Sequence, residues 1–391
     1  MVPNGWKVLP LSEITKEKIS YGIVQAGPHV EAGIPYIKSA DVGGDIDVQK
    51  LQRTAPEIHH KYRRSAVHPN DIVFSLRGNI ARTSIVPSDL PEANLTQGTA
   101  RISVDEQNDT KFVYYKLAST PILNRINALS KGSTFKEISL EELRKVKLPL
   151  PPLPEQRKIA KILSTWDKAI STTEKLIETS KQQKKALMQQ LLTGKKRLVN
   201  PETGKVFEGD WKKVELGKLL DYKQPTPYLV KSTEYSNEYP TPVLTAGKTF
   251  ILGYSNEDFG IFREELPAII FDDFTTASKF VDFPFKAKSS AMKILIAKDG
   301  VSIKYVYEAM QVLNYPVGGH QRHWISIFAN LVIGLPEPEE QQKIASVLTA
   351  ADKEIEILEA KLTHFKQEKK ALMQQLLTGK RRVKVDEEVA A

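Results

Sequence analysis

Leu153-Pro154-Glu155-Gln156-Arg157-Lys158-Ile159-Ala160 is answered 185 residues later by Pro338-Glu339-Glu340-Gln341-Gln342-Lys343-Ile344-Ala345. The stretch Lys184-Lys185-Ala186-Leu187-Met188-Gln189-Gln190-Leu191-Leu192-Thr193-Gly194-Lys195 recurs letter for letter at Lys369 to Lys380, with the same offset. Between Glu155 and Leu198, 25 of 44 positions match their partners 185 residues on, without a gap. Stacked solenoid units repeat every ~20–50 residues, so this longer period indicates a duplicated half-protein. Each half is expected to hold one globular domain followed by one long helix.

Periodicity supports the helices. In the second copy Ile344, Leu348, Ala351, Ile355, Leu358, Leu362, Phe365, Lys369, Leu372 and Leu376 follow alternating steps of four and three, the seam of a coiled coil. The first copy keeps this register at Ile159, Leu163, Trp166, Ile170, Ile177, Leu187 and Leu191, with Thr173, Ser180 and Lys184 as interruptions. Pro151, Pro152 and Pro154, and Pro336 and Pro338, stand where the first helical amides lack partners. Glu155 and Glu339-Glu340 suit the positive end of the dipole, and Gly194 and Gly379 the closing turn. A rod of about 39 residues is roughly 58 Å long. Its apolar stripe needs cover, and the other copy is the preferred partner. Packing on the helix's own domain, or between two chains, is the alternative.

Composition sets outer limits. With 391 residues and 41% hydrophobic content the chain can bury two ordinary cores, and length alone suggests two or three domains. It has no cysteine, which excludes disulfides and cysteine-ligated zinc and fits a reducing compartment. The opening Met1-Val2-Pro3-Asn4-Gly5-Trp6 lacks the apolar core of a secretion signal, and no run approaches the ~18 apolar residues of a membrane span. A cytoplasmic protein without membrane contact is expected. The formal charge of +9 points weakly to a polyanionic partner.

Each half has a mixed helix and strand pattern. Trp6 to Leu11 reads as extended, Ile72 to Leu76 as a buried strand, Arg77 to Arg82 as a loop, and Thr83 to Val86 as the returning strand. Ala100 to Val104 reads as a strand, Lys111 to about Leu129 as one helix, and Lys131 to Lys136 as a polar loop. After a linker from Lys195 to Asp210, Trp211 to Leu216 repeats the spacing of Trp6 to Leu11. Ala268 to Phe271 and Ala291 to Ala297 are expected strands, and Ile303 to Leu313 a helix. Asp272 to Lys279 and Gly318 to Trp324 stand where the loops at Arg77 and Lys131 stood. The globular parts share a plan but few residues.

Catalytic signatures are missing from the sequence: no phosphate-binding loop, dinucleotide fingerprint, amino-methyltransferase motif, serine elbow or zinc helix. His59-His60 and the pair His320 and His323 are read as ordinary or donor histidines, with no metal expected. Asp272-Asp273 reads as a turn or cap. Binding groups are better represented. Arg77, Asn79 and Arg82 share one loop, and arginine and asparagine pair bidentately with guanine and adenine edges. Lys131, Thr134 and Lys136 add to them in the first half; Thr275, Thr276, Lys279, His320, Gln321, Arg322 and His323 offer similar chemistry in the second. The basic groups Lys195-Lys196-Arg197 and Lys380-Arg381-Arg382 either meet phosphates or cap the helices.

The doubled plan resembles the specificity subunits of type I restriction-modification systems. The resemblance rests on Trp6 to Leu11 and Trp211 to Leu216, on Leu148-Pro149-Leu150-Pro151 and Leu335-Pro336-Glu337-Pro338, and on Glu155-Gln156 with Ile159 and Glu340-Gln341 with Ile344. The Leu-Leu-Thr-Gly ends with basic tails, 191–197 and 376–382, complete it. It implies an α+β fold: two mixed α/β target recognition domains joined by two long antiparallel coiled-coil helices in a pseudo-two-fold internal repeat. The expected boundaries are 1–150, 151–197 (spacer helix), 198–335, 336–382 (spacer helix) and a tail, 383–391. It also implies a non-catalytic subunit that binds a split sequence in double-stranded DNA and bridges two modification subunits, joined by restriction subunits in the full complex. No cofactor is then expected here; S-adenosylmethionine, ATP and Mg²⁺ would sit on the partners. A protein-binding scaffold and a stand-alone DNA-processing enzyme are the alternatives.

Overall fold

The computed structural model describes residues 3–132, 136–245, 249–313 and 323–385. The chain forms two compact units, one running to Glu174 and resuming at Lys361, the other spanning Lys175–Ala360.

The globular part of the first unit carries β1 (Lys7–Pro10), β2 (Ser20–Tyr21), β3 (Ile34–Ile37), β4 (Gln52–Thr54), β5 (Ile72–Ser75), β6 (Thr83–Ile85), β7 (Asn94–Leu95), β8 (Thr99–Ile102) and β9 (Lys147–Leu150). That of the second carries β10 (Lys212–Glu215), β11 (Leu220–Lys223), β12 (Thr241–Leu244), β13 (Ile251–Ser255), β14 (Ala268–Asp272), β15 (Ser278–Val281), β16 (Lys286–Ala287), β17 (Met292–Ala297) and β18 (Val332–Leu335). The first unit has sheets ordered β2-β8-β5-β6, β4-β3-β7 and β1-β9; the second has β11-β17-β14-β15, β13-β12-β16 and β10-β18. Adding nine to each strand number of the first unit reproduces the second. Even the parallel pairings correspond, β3 with β7 and β12 with β16.

The central strands explain themselves. β5 and β14 are buried along their whole length, as a continuous apolar run flanked by strands on both sides requires. Ile72 faces Ile85 on one neighbour and Ile102 on the other; Ile270 faces Ile294 and Lys279. One expected helix is corrected. Residues 111–129 form two helices, Thr110–Leu117 and Thr120–Leu129. Pro121 sits in the first turn of the second, where its ring cannot continue a preceding helix. Asp109 caps the earlier one, accepting the Phe112 amide at 2.8 Å.

The long helices are Leu153–Leu191 and Pro338–Leu376, 39 residues each. Each closes on a glycine with left-handed φ, +69° at Gly194 and +71° at Gly379. In the first unit Glu155 meets Arg382, Asp167 meets Lys369, and Glu174 meets Lys366, with the Trp166 and Phe365 rings edge to face at 5.5 Å. In the second unit Glu340 meets Arg197, Asp352 meets Lys184, and Glu359 meets Lys181. Partner numbers fall as residue numbers rise. Each pair of the second unit is the counterpart, 185 residues on, of one in the first, with the helices exchanging roles.

Along the seam positions Ile159, Leu163, Ile177, Leu191, Ile344, Leu348 and Leu376 are buried, and Trp166, Ile170, Leu187, Ile355, Leu358, Leu362, Phe365 and Leu372 half-buried. Of the three interruptions, Thr173 and Ser180 are buried too. The Thr173 hydroxyl donates to the Ala169 carbonyl at 2.8 Å, and Lys184 bonds Asp352 at 2.6 Å and reaches Glu308 at 3.2 Å. A polar side chain inside such a stripe is tolerated when it finds a partner.

Each globular part is fastened to helix ends by the same device. In the second unit Arg197 grips Glu340 through Nε at 2.6 Å and Nη2 at 2.7 Å, and Trp211 Nε1 donates to the same carboxylate at 3.1 Å. In the first unit Arg382 grips Glu155 twice at 2.7 Å and lies 5.9 Å from the Trp6 ring. There the Trp6 Nε1 finds no acceptor. Lys116 stands 5.1 Å from that ring instead and donates to the Leu377 carbonyl. Arg197 and Arg382 are thus engaged in ion pairs.

Lys116 is 3% exposed, and burial lowers its ammonium to about 8. Between that value and its ordinary one near 10.5 the unfolded chain holds a proton that the folded chain has lost, so stability should rise with pH across this window. Below it both states are charged and the burial penalty is constant. Lys116→Met should remove the rise, which amounts to ~3 kcal/mol at most. Thermal melts of both proteins at pH 8 and pH 10 test this; an equal change in both would contradict it.

Candidate nucleic-acid interface

In the first unit β5 and β6 carry the loop that holds Arg77, Asn79 and Arg82. It turns through left-handed residues at Gly78 (φ +68°) and Ala81 (φ +64°). Its neck is closed by the Ser75 amide donating to the Arg82 carbonyl at 2.9 Å, and that of Ala81 to Ser75 at 3.0 Å. Lys131 and Glu137 exchange two backbone hydrogen bonds of 2.9 Å, which pins the second loop. The Leu76 carbonyl accepts the Ile138 amide at 3.1 Å, bringing the two loops together. Arg77 Nε donates to Glu137 Oε1 at 2.9 Å, both groups about half exposed. Asn79, Arg82, Lys131 and Lys136 are exposed. The Arg82 stem lies over Gly43, where a Cβ would come within 2.8 Å of Arg82 Cδ. Thr134 lies outside the described residues.

The corresponding hairpin of the second unit, β14 to β15, is built differently. Asp272 Oδ1 accepts the amides of Phe274 at 2.9 Å and Thr275 at 3.4 Å, which is a turn role. Thr276 is buried at φ +61°, with its hydroxyl donating to the Thr275 carbonyl at 2.6 Å. Thr275 and Lys279 are exposed. Asp273, buried, accepts the Trp324 amide at 2.8 Å. That bond ties the short helix His323–Ser326 to this hairpin. His320, Gln321 and Arg322 lie outside the described residues, as does the side chain of His323. Lys184 and Asp352 of the long helices form a cluster with Lys304 and Glu308 of the helix Ile303–Gln311. Burial opposes ionisation of Asp352, but hydrogen bonds from Lys184 and Lys304 hold its carboxyl below the ordinary range.

Two features escaped the sequence reading. Phe274 is 56% exposed on the second hairpin, its backbone fixed by Asp272, and a ring held out this way suits stacking or apolar contact with a base. The residues after His59 are the other. His59 is buried, with Nε2 2.6 Å from Glu92 and Nδ1 3.2 Å from Asn94, while His60, Lys61, Arg63 and Arg64 are exposed. Consecutive basic letters were the available signal. Among the described residues no group of three His, Asp or Glu comes together as metal ligands, and no helix is long and apolar enough to cross a membrane.

The comparisons agree with this architecture. One relative, the EcoR124I/EcoR124II type I restriction enzyme specificity subunit of Escherichia coli, is 48% identical over 145 residues, 36% of this chain. That match spans about a third of the relative, 35% of its length. A putative type I restriction enzyme specificity subunit of Methanocaldococcus jannaschii, MjaX, is 27% identical across 98% of this chain and 95% of its own. The crystal structure of a type I restriction-modification S subunit from Mycoplasma genitalium superposes with a TM-score of 0.66 at 16% identity, covering 96% of this chain and 97% of that one. The family described as the type I restriction modification DNA specificity domain matches residues 3–181 and again 208–367. Two matches, one on each globular part and its helix, place this chain in the family of type I restriction-modification specificity subunits.

Proposed function

We propose that the two units read two parts of a split sequence in double-stranded DNA, while the long helices pair as an antiparallel coiled coil with an internal two-fold relation and set the gap. The carrying observation is the nine-strand order repeated on diverged sequences, with a polar Arg77-to-Arg82 loop on one hairpin and a Phe274-Thr275 turn on the other. Equal scaffolds with unlike tips suit two readers of different base edges. The matched ion pairs along near-copied helices support a constant frame.

In this reading the frame bridges two modification subunits, and restriction subunits join them for cleavage. The chain performs no chemistry; S-adenosylmethionine, ATP and Mg²⁺ belong to the partners. Each long helix begins in one unit and ends in the other, so its length acts as a ruler. Four residues inserted after Lys175 and after Ala360 add ~6 Å to each helix, or about two base-pair steps. Methylation mapping in cells carrying this chain with its partner subunits should show a longer unspecified gap and the same two half-sites. An unchanged gap would count against the ruler.

A further inference from the structure

We propose that the turn His60–Arg64 of the first unit grips the phosphate backbone of duplex DNA. The inference rests on the reading above and adds to it a contact site that carries affinity without reading sequence. Four cationic or titratable side chains, His60, Lys61, Arg63 and Arg64, stand exposed within five consecutive residues. Among the described residues Lys61, Arg63 and Arg64 make no ion pair. Arg77 differs, since Glu137 holds its Nε. Glu92, beneath the turn, faces His59 at 2.6 Å and His68 at 3.4 Å.

The turn is rigid from beneath. Ser65, fully buried, has its hydroxyl 2.8 Å from the Tyr62 carbonyl and 3.1 Å from Asn94 Oδ1. The amides of Ser65 and Ala66 close the turn on Tyr62 at 2.9 Å and Arg63 at 3.0 Å. Asn94, also fully buried, faces His59. A polar network in an interior is costly unless satisfied, and here it fixes the backbone from which the cations project. Less ordering is then required when an anion binds.

The second unit supplies the contrast. The turn lies between β4 and β5; the matching connection between β13 and β14, residues 256–267, carries Glu257, Asp258, Glu264 and Glu265 against Arg263 alone. Glu257 pairs with buried Lys286 at 3.0 Å, and Glu265 with Lys223 at 2.8 Å. One fold position therefore holds opposite charge in the two units, and phosphate contact through it belongs to the first unit only.

The test is binding of the full chain to a labelled mixed-sequence DNA duplex over a series of sodium chloride concentrations. Every phosphate that is no longer neutralised should reduce the steepness of log affinity against log salt by ~0.9. The variant Lys61→Gln/Arg63→Gln/Arg64→Gln should lose about two to three units of slope, with an unchanged melting temperature because the replaced groups are exposed. Arg63→Lys/Arg64→Lys should keep the parent slope, and so should Arg263→Gln in the second unit. A triple variant with the parent's slope overturns the phosphate grip while leaving the DNA-reading role intact. A parent chain without salt-dependent binding overturns both.

Discussion

Replacing Glu340 by alanine is expected to cost ~3–5 kcal/mol of unfolding free energy, the usual penalty for removing one partner of a buried ion pair. Glu340 is 1% exposed and accepts three charge-bearing or polar donors, Arg197 twice and Trp211 Nε1 once. Its removal leaves a guanidinium only 21% exposed and an indole amine without an acceptor. The matching change Glu155→Ala should cost less. Its partner Arg382 is 44% exposed and can rehydrate, and Trp6 Nε1 makes no bond there to lose. Denaturant unfolding of both variants, followed by tryptophan fluorescence, should rank them in that order. Equal losses would show that the two clamps are not distinguished by solvent.

A chain cut after Arg197 should associate with a second copy of itself. The first globular part needs Asp167 and Glu155 satisfied, and in the full protein Lys369 and Arg382 do this. Lys184 and Arg197 occupy the same places in the copied stretch, followed by the same Leu187, Met188, Leu191 and Leu192. Phe365 lacks an equivalent, since Ser180 stands there, and Leu198, the counterpart of Val383, falls beyond the cut. Loss of one edge-to-face ring pair is worth ~0.5–1.5 kcal/mol beyond its area, too little to prevent pairing along a whole seam. Light scattering should therefore report twice the fragment mass, and Arg197→Ala within the fragment should weaken the association without abolishing it, raising the concentration at which monomer appears. A fragment that is folded yet monomeric at micromolar concentration would show that the copied helix ends are not interchangeable. With modification subunits present, the paired fragment should direct methylation to a symmetric site, because both readers are then the same.

The helices were legible because their signal is written twice and runs over many turns; a period of seven survives substitutions such as Trp166 for Ala351. The role of Lys184 was not legible. In sequence it breaks an apolar stripe, and only the fold supplies Asp352 and Glu308, 168 and 124 residues away. The strand order was hidden for another reason. β2, β7 and β16 are two residues long, too short for an alternating pattern, and the two globular parts kept topology while exchanging side chains. Pro121 did announce the break before Thr120–Leu129, and the apolar run on either side of it concealed that. At the candidate interface, exposure of Asn79 and Lys279 follows from their loops and edges. The pairing of Arg77 with Glu137 spans 60 residues and could come only from the folded chain.

The sockets that receive the two globular parts are built from the same letters: glutamate at the head of one helix, arginine beyond the tail of the other, and a tryptophan wedge on the incoming part. Nothing in such a mounting records which tenant arrived first. Transplanting the segment between Trp6 and Leu150 into the place of that between Trp211 and Leu335, and the reverse, would leave both ion pairs, Glu155 with Arg382 and Glu340 with Arg197, outside the exchanged stretches. On the proposed reading, the repertoire open to a lineage carrying this frame therefore grows with the product of available readers, each needing only to keep its wedge.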